Sequence, residues 1–333
     1  MMHKVAVTEP IEPSGMRVLE AAGFAVIEGA GGDQGDDAIR ALCREASAVI
    51  VRQKLPDDIA SACPNLLVAA RHGVGVDLIP VEHCTKHGVL VTSVPAANAD
   101  AVAEFVVAQM LAATRQLQAM HAAHLAQGWK PARMIATRAT ELRGRTLGIV
   151  GVGAIGTRLA EIAHHGFRMT VLGHQRRRHA LPEFVAYVDL PRLFSESDFI
   201  ALCCPSTPET KGLASAALIA RMKPTAWLCN VSRGAVVDED ALVAALREGR
   251  IGGAALDVYT VQPLADGHPL RGFPNTVLSP HVAGLSRESA AYMSLVAAEE
   301  VVRVLRNEPP RNLINPQADA AYRARRAALD LKS

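Results

Sequence analysis

Residues 147–156 read LGIVGVGAIG. The apolar run is typical of a buried β-strand, and it leads into three glycines at the spacing GxGxxG, Gly151, Gly153 and Gly156. A helical segment, TRLAEIAHH, follows and ends at Gly166. In such a unit the first glycine allows the tight turn, the second lets the main chain approach a pyrophosphate, and the third lets the helix pack on the strand. The pattern indicates a dinucleotide site with the phosphates at the helix N-terminus, the remaining alternative being a glycine-rich turn in another kind of α/β protein.

The end of the next predicted strand indicates which dinucleotide binds. MTVLGH (169–174) is followed by Gln175, Arg176, Arg177 and Arg178, about 20 residues past the glycines, where an acidic residue would accept a hydrogen bond from the ribose 2′-hydroxyl of NAD. No acidic residue is present, and guanidinium groups suit a 2′-phosphate instead. We therefore expect NADP(H) to be favoured, with NAD(H) as the alternative if the arginines only face solvent.

Short apolar runs alternate with helical patterns along the chain. Runs rich in Val, Ile and Leu that are joined through helices are typical of parallel sheets covered on both faces, and two blocks of them predict two doubly wound α/β domains. Long helical patterns at 98–127 and 286–306 flank the second block. The sequence therefore predicts a Rossmann cofactor domain, residues 99–285, inserted into a flavodoxin-like substrate domain, residues 1–98 and 286–333.

Composition excludes several classes of protein. The 333 residues include 35 Lys and Arg against 33 Asp and Glu, a net charge of +2, whereas a nucleic-acid binder normally carries a larger basic excess. No run of about 18 apolar residues occurs, so we expect no membrane partner. The six cysteines form no CxxC pair, so we expect a cytoplasmic location and no metal.

The tail after Pro316, with Arg323, Arg325 and Arg326, is expected to be a solvated helix or a mobile end.

Three further segments lie at the carboxyl ends of predicted strands. In doubly wound sheets, ligands bind at these strand ends. The segments are NVSRGAVVDEDAL (230–242), GAALDVYTVQP (253–263) and LSPHVAG (278–284). With GVGAIG and the loop RHGVGVD (71–77), they resemble the D-isomer-specific 2-hydroxyacid dehydrogenases. That family includes D-3-phosphoglycerate dehydrogenases, glyoxylate and hydroxypyruvate reductases, D-lactate dehydrogenases and formate dehydrogenases. The resemblance extends over nearly the whole chain.

The resemblance implies roles for individual residues. Arg233 would bind the substrate carboxylate and carbonyl, a role that suits a forked guanidinium, and His281 would be the general acid that protonates the new alkoxide. Main-chain N–H groups of Val74 and Gly75 would hold the substrate carboxylate, and Asp257 the nicotinamide carboxamide. The further cofactor contacts that it implies are Ala154, Ile155, Cys204, Pro205, Thr210, Val231, Ser232, Ala283 and Gly284.

Gln262 departs from the family pattern. Most members carry Glu at this position, before the Pro of the DVxxxxP segment, and the carboxylate raises the pKa of the catalytic His. A Gln accepts a hydrogen bond from the ring but supplies no charge. Three interpretations follow: a slower or acid-shifted 2-ketoacid reductase, a specialist similar to formate dehydrogenases, which also have Gln before Pro, or a dinucleotide-binding regulator with reduced catalysis. Retention of Arg233 and His281 favours the enzyme.

The resemblance also bears on the substrate. Arg52 and Arg71 lie at the ends of two predicted strands. They match arginines near the substrate's phosphate in phosphoglycerate dehydrogenases. The alternative for Arg52 is that its side chain extends into solvent from the strand end. We expect an NAD(P)-dependent oxidoreductase that interconverts a small 2-ketoacid and a D-2-hydroxyacid, similar to glyoxylate/hydroxypyruvate reductases. A phosphoglycerate dehydrogenase-like enzyme is the alternative.

Family members are usually dimers. The segment AVAEFVVAQMLAATRQL (101–117) is apolar on more than one face, as burial against both its own sheet and a second subunit requires. Lys130 and Arg133 lie in a segment that reaches the partner's site in phosphoglycerate dehydrogenases. We therefore expect a homodimer, the alternative being a helix buried within its own domain.

Overall fold

The computed structural model describes residues 3–32, 34–176 and 181–330. The chain divides into two compact units, unit 1 (Met1–Asn98 and Ser286–Ser333) and unit 2 (Ala99–Leu285). Among the described residues no helix is both long and apolar enough to cross a membrane. In the same residues no group of three His, Cys, Asp or Glu side chains is placed to hold a metal ion.

Unit 1 begins with alternating strands and helices. They are β1 (Lys4–Val7), α1 (Pro13–Ala21), β2 (Ala25–Glu28), α2 (Asp36–Cys43), β3 (Ala48–Val51), α3 (Ile59–Ala62), β4 (Val68–Arg71), α4 (Val81–Lys86) and β5 (Leu90–Thr92). The strands form one parallel sheet in the order β2-β1-β3-β4-β5, which is the flavodoxin-like order.

Unit 2 continues with more helices and a larger sheet. Its elements are α5 (Ala99–Arg115), α6 (Leu117–Gln127), α7 (Trp129–Ala136), β6 (Thr146–Val150), α8 (Ala154–Glu161), β7 (Thr170–His174), β8 (Val185–Tyr187), α9 (Leu190–Glu196), β9 (Phe199–Leu202), α10 (Ala216–Ile219), β10 (Trp227–Asn230), α11 (Glu239–Arg247), β11 (Gly253–Leu256) and β12 (Thr276–Leu278). All neighbouring strands are parallel, in the order β12-β11-β10-β9-β6-β7-β8. The order reverses at β6 and β9, as in a Rossmann sheet, and the predicted fold class is confirmed.

The chain then returns to unit 1 through α12 (Arg287–Leu305) and α13 (Asp319–Asp330). Both sheets are covered on both faces. In β1, Val5 and Val7 pack in the same cluster as α12, whereas Ala6 packs with α2 on the other face. This alternation of buried side chains explains why the strands read as continuous apolar runs.

The helical pattern at 98–127 is not one helix, so that prediction is wrong. α5 ends at Arg115, and Gln116 has a φ of +52° before α6 starts at Leu117. A left-handed residue interrupts the ladder of i to i−4 hydrogen bonds. The apolar pattern continues through the break, so periodicity alone does not reveal it.

The tail after Pro316 forms a helix, as expected, and Arg323 on it is exposed, but the expectation of a solvated side chain is wrong for Arg325. The Arg325 guanidinium donates hydrogen bonds to four main-chain carbonyl oxygens, those of Ala60, Cys63, Leu66 and His87, at 2.6–3.0 Å. Burial lowers the pKa of Arg325. A guanidinium carries five N–H donors, so one arginine can satisfy several carbonyls at the ends of neighbouring elements and dock α13.

Candidate active site

The glycine-rich turn joins β6 to α8. Gly151 has a φ of +95°, a conformation that favours glycine, and a Cβ there would lie 2.6 Å from the main-chain nitrogen of Cys204. A Cβ on Gly156 would collide with the carbonyl oxygen of Gly151. Side chains at these positions would therefore separate the helix from the strand and from the loop after β9.

The outer side of the turn is open. A Cβ added to Gly153 would meet nothing within 4 Å, and Gly153 caps α8 without a side chain. The first N–H groups of the helix, on Ala154, Ile155 and Gly156, have no acceptor within the helix. Such N–H groups and the helix dipole bind anions, so this turn fits the pyrophosphate of a dinucleotide.

The end of β7 lies beside the turn, because the carbonyl of His174 accepts a 2.8 Å hydrogen bond from the turn's first glycine. Gln175 is half-buried and Arg176 is exposed. The other two predicted phosphate ligands, Arg177 and Arg178, lie outside the described residues. The position expected to select the dinucleotide therefore carries an amide and an accessible guanidinium.

The loop after β9 is held by its own hydrogen bonds. The hydroxyl of Thr210 donates to the carbonyl of Pro205 over 2.7 Å and accepts from the main-chain N–H of Thr207 over 2.7 Å. Cys204 is buried against the glycine-rich turn. Three of the predicted cofactor contacts, Cys204, Pro205 and Thr210, therefore lie in one compact loop at the carboxyl edge of the sheet.

Arg233 lies in the loop after β10, which a buried amide organises. The side-chain oxygen of Asn230 accepts from the main-chain N–H and the hydroxyl of Ser232, both at 3.0 Å, and its nitrogen donates to the carbonyl of Arg233 over 3.0 Å. The guanidinium of Arg233 donates to the carbonyl of Ser232 over 2.7 Å. Asn230 therefore fixes the main-chain conformation of the loop at Arg233, and with it the position from which the arginine side chain extends.

Asp257 follows β11 and is only 1% exposed. One carboxylate oxygen accepts from the hydroxyl of Ser279 at 2.7 Å and the N–H of Val282 at 2.9 Å, and the other accepts from the N–H of Ala283 at 2.9 Å. A buried carboxylate that accepts three hydrogen bonds is compensated for its loss of solvent. Asp257 thereby anchors the segment that follows β12.

Main-chain hydrogen bonds join the ends of three adjacent strands. The N–H of Asp257 donates to the carbonyl of Asn230 over 3.0 Å, and the N–H of His281 donates to the carbonyl of Asp257 over 2.8 Å. The loops that carry Arg233 and His281 are thus connected through Asp257, in the strand order of the sheet.

His281 forms a pair with Gln262. The ring Nδ1 donates to Oε1 of Gln262 over 3.1 Å, and the Gln262 amide nitrogen lies 3.4 Å from the carbonyl of Tyr259. Because that nitrogen donates to Tyr259, the amide oxygen faces the imidazole and places a proton on Nδ1. The ring nitrogen that exchanges a proton with a substrate is then Nε2. His281 has a φ of +58°.

A cavity of about 550 Å³ borders this pair within unit 2. Its lining includes Tyr259, Leu264, Leu278 and Pro280 as well as the pair itself. Its volume lies within the range of small-molecule sites.

The predicted substrate-binding residues of unit 1 follow β3 and β4. Val74 is 40% exposed in the loop after β4, and Gly75 is half-buried. Arg52 lies 3.5 Å from a carboxylate oxygen of Glu9 and donates to the carbonyl of Pro10.

The matching family model is described as the NAD binding domain of the D-isomer specific 2-hydroxyacid dehydrogenases, and it covers residues 107–283. This range is more than half of the chain and contains the glycine-rich turn, Arg233, Asp257 and His281. The chain belongs to the D-isomer-specific 2-hydroxyacid dehydrogenase family. It is an NAD(P)-dependent oxidoreductase, and the predicted resemblance is confirmed.

Relatives of this dehydrogenase carry related names. It is 41% identical over 283 residues to a glyoxylate reductase of Aeropyrum pernix, covering 82% of this chain and 84% of that one. It is 38% identical over 267 residues to a glyoxylate/hydroxypyruvate reductase B of Pectobacterium carotovorum, with 79% and 83% covered. The structure of NADPH-dependent glyoxylate/hydroxypyruvate reductase of Sinorhizobium meliloti with NADP and malonate is similar, with a TM-score of 0.81, 28% identity and 96% and 98% covered.

The roles of individual residues stay predictions. The structure brings Gln262 against His281 and Ala283 against Asp257, and it places Arg233 one strand away from Asp257. A carboxylate has about four acceptor positions, and the segment after β12 uses three of those on Asp257. The expected hydrogen bond from the nicotinamide carboxamide to Asp257 can therefore use only the one acceptor position that remains.

Sequence reasoning missed two residues of the dehydrogenase that organise the site. The hydroxyl of Tyr259 lies 2.9 Å from the carbonyl of Ser279 and accepts from the N–H of Ser279 over 3.1 Å, so it links the loops of Gln262 and His281. Both residues stand inside the quoted motifs. Nothing in the sequence shows that they touch, because they are 20 positions apart.

His72 was also missed. It is 6% exposed, and its Nε2 lies 2.8 Å from the hydroxyl of Ser294 in α12. Burial, together with the charges of Arg52 and Arg71, lowers the pKa of His72 to about 4. The imidazole is therefore neutral near pH 7 and ties the loop after β4 to α12.

Proposed function

We propose that this dehydrogenase reduces a small 2-ketoacid, glyoxylate or hydroxypyruvate, to the D-2-hydroxyacid with NADPH. The observation that carries the proposal is the hydrogen-bonded pair of His281 and Gln262, anchored by Asp257 beside the loop of Arg233. The same sheet edge holds a glycine turn that fits a dinucleotide. The names of the relatives support the substrate class.

Each residue has a distinct task in this proposal. The guanidinium of Arg233 binds the substrate carboxylate and polarises the ketone. Nε2 of His281 donates a proton to the oxygen that becomes the alkoxide, and Gln262 holds the ring in the orientation that this transfer needs. Main-chain N–H groups in the loop of Val74 and Gly75 bind the same carboxylate. A bound nicotinamide dinucleotide supplies the hydride.

The preference for NADPH rests on the end of β7. Gln175 stands where an acidic residue would bind a ribose hydroxyl, and Arg176 adds an exposed guanidinium. A hydrogen bond with Thr207 lowers the pKa of Glu209, and the charge of Arg176 lowers it further. The exposed guanidinium of Arg176 is therefore the described group proposed to bind the 2′-phosphate.

The test is a panel of glyoxylate, hydroxypyruvate, 3-phosphohydroxypyruvate and longer 2-ketoacids with NADPH and with NADH. We expect reduction of the first two, with kcat/KM for NADPH at least about tenfold above that for NADH, because one charge-assisted hydrogen bond contributes about 1.5–3 kcal/mol. Faster turnover with NADH contradicts the cofactor assignment. Absence of cofactor oxidation from about pH 5 to 8, where His titrates, contradicts the reaction and favours a dinucleotide-binding regulator.

Gln262→Glu tests the proton-transfer role of the pair. A carboxylate beside Nδ1 stabilises the imidazolium and raises the pKa of the imidazole by about 1–3 units. Reduction needs the protonated ring, so activity is lost as the pH rises through that pKa. We therefore expect the high-pH limb of the kcat/KM profile for reduction to move upward in the variant.

Gln317→Glu is the matched control, because it adds the same charge at an exposed position of unit 1. Its profile should coincide with that of the wild type. A profile of Gln262→Glu that also coincides with the wild type contradicts the role given to the pair.

We further propose a cytoplasmic homodimer. Support for the dimer comes from exposed apolar side chains on α6 and α7, among them Leu125 and Trp129, which are 73% and 68% exposed. Trp129 also lines an apolar groove of about 500 Å³, together with Leu117 and Met120. Support for a reducing compartment comes from the six free cysteines; burial raises the pKa of Cys43 and Cys229 to about 12.

A further inference from the structure

Arg71 ends β4 and points into its own loop. Its Nε donates to the carbonyl of Gly75 over 2.9 Å, and one terminal nitrogen donates to the carbonyls of Val51 and His72 over 2.7 and 2.9 Å. One guanidinium therefore joins the end of β3 at Val51 to both ends of the loop after β4, at His72 and at Gly75. The sequence predicted a substrate ligand here, yet these donors are committed to the main chain.

These bonds set the direction of the loop's N–H groups. In a trans peptide the carbonyl and the N–H point in opposite directions, and the peptides after His72 and Gly75 are trans. Because both carbonyls point at the guanidinium, the N–H groups of Gly73 and Val76 point away from it. Within the part of the chain that the structure describes, the N–H groups of residues 73–76 donate to no protein acceptor. Successive N–H groups of this kind form an anion-binding concavity.

The loop closes tightly over the guanidinium. Gly73 has a φ of +147°, and a Cβ there would lie 3.3 Å from the guanidinium carbon of Arg71. The carbonyl of Gly73 accepts from the N–H of Val94 over 2.9 Å, which ties the loop to the segment after β5.

We propose that Arg71 is a positioning residue: it shapes the loop so that main-chain N–H groups of residues 73–76 bind the substrate carboxylate, and it does not bind the substrate's tail. The inference rests on the proposed function. It predicts that Arg71 matters equally for every 2-ketoacid, because all of them share the carboxylate. An arginine that bound an anionic tail would matter only for substrates that have one.

The experiment compares Arg71→Ala and Arg71→Lys with the wild type on glyoxylate, hydroxypyruvate and 3-phosphohydroxypyruvate. We expect KM to rise about tenfold or more for every substrate that the wild type reduces, with kcat little changed, since about 1.4 kcal/mol of lost binding is a factor of ten. Lysine keeps the charge but not the planar fork, so it should behave like alanine. Added guanidinium ion should lower the KM of Arg71→Ala.

Arg325→Ala is the matched control, because Arg325 also binds main-chain carbonyls of unit 1. It should lower the melting temperature without raising KM. Gly73→Ala disturbs the same loop by a second means, since its Cβ would press on the guanidinium of Arg71. It should also raise KM, and it replaces Arg71→Ala in the test if that variant does not fold.

Oxamate, a 2-ketoacid analogue, gives a readout without turnover when titrated into the wild type and the variants with NADPH bound. A wild type that binds oxamate but reduces no 2-ketoacid contradicts the proposed reaction, and weaker binding in Arg71→Ala then still supports the loop. A wild type that binds no oxamate and turns over nothing contradicts both. The inference is overturned by an unchanged KM, by full activity of Arg71→Lys, or by a KM increase confined to 3-phosphohydroxypyruvate.

Discussion

His281→Asn is expected to lower kcat for 2-ketoacid reduction by about 10²–10⁴-fold, the usual contribution of a positioned general acid. Nδ1 of His281 is engaged by Gln262, so the transferred proton comes from Nε2, and an asparagine amide cannot release one. Asparagine suits the position, because it tolerates the left-handed φ of +58° found at His281. The loss should therefore come from chemistry rather than from main-chain strain.

The measurement is steady-state kcat together with the dissociation constant of NADPH from fluorescence titration. NADPH should bind as tightly as in the wild type, since His281 holds no phosphate. His165→Asn is the control, because His165 is an exposed histidine of unit 2 outside the proposed site, and it should keep full activity. A His281→Asn enzyme with wild-type kcat would remove the imidazole from the mechanism.

Arg233→Gln has the second large expected effect, a fall in kcat/KM of about 10²–10³-fold. Removing one member of a bound, hydrogen-bonded charge pair costs about 2–5 kcal/mol, and the substrate carboxylate would be that pair's other member. Arg233→Lys should recover only part of the loss, because an ammonium does not make the two parallel hydrogen bonds of a guanidinium.

Arg247→Gln provides the control for this charge. Arg247 is an exposed arginine at the end of α11 in the same unit. Its removal should leave kcat/KM unchanged, and NADPH binding should survive in both variants. Equal losses in the two variants would indicate a general effect of net charge, and the specific role of Arg233 would then be wrong.

The sequence predicted most of the fold because the signals are local. Of the twelve strands in the described part of the chain, eleven stand as apolar runs, and the motifs follow directly after them. The remaining strand, β8, has three residues, one of them exposed, which is too short for a periodic pattern. The break at Gln116 was missed for a related reason: one residue's φ leaves no trace in the hydropathy pattern.

The amino-acid sequence by itself determined the class of fold, the dinucleotide motif, the family and the residues expected to do the chemistry. Each of these depends on residue types at short spacing along the chain. The tertiary structure alone decided what several charged groups do. The carboxylate of Asp257 anchors the His281 segment, Arg325 docks the tail, and Arg71 turns into its own loop. Such roles depend on which main-chain groups lie within hydrogen-bonding distance, and folding brings those groups together from distant parts of the chain.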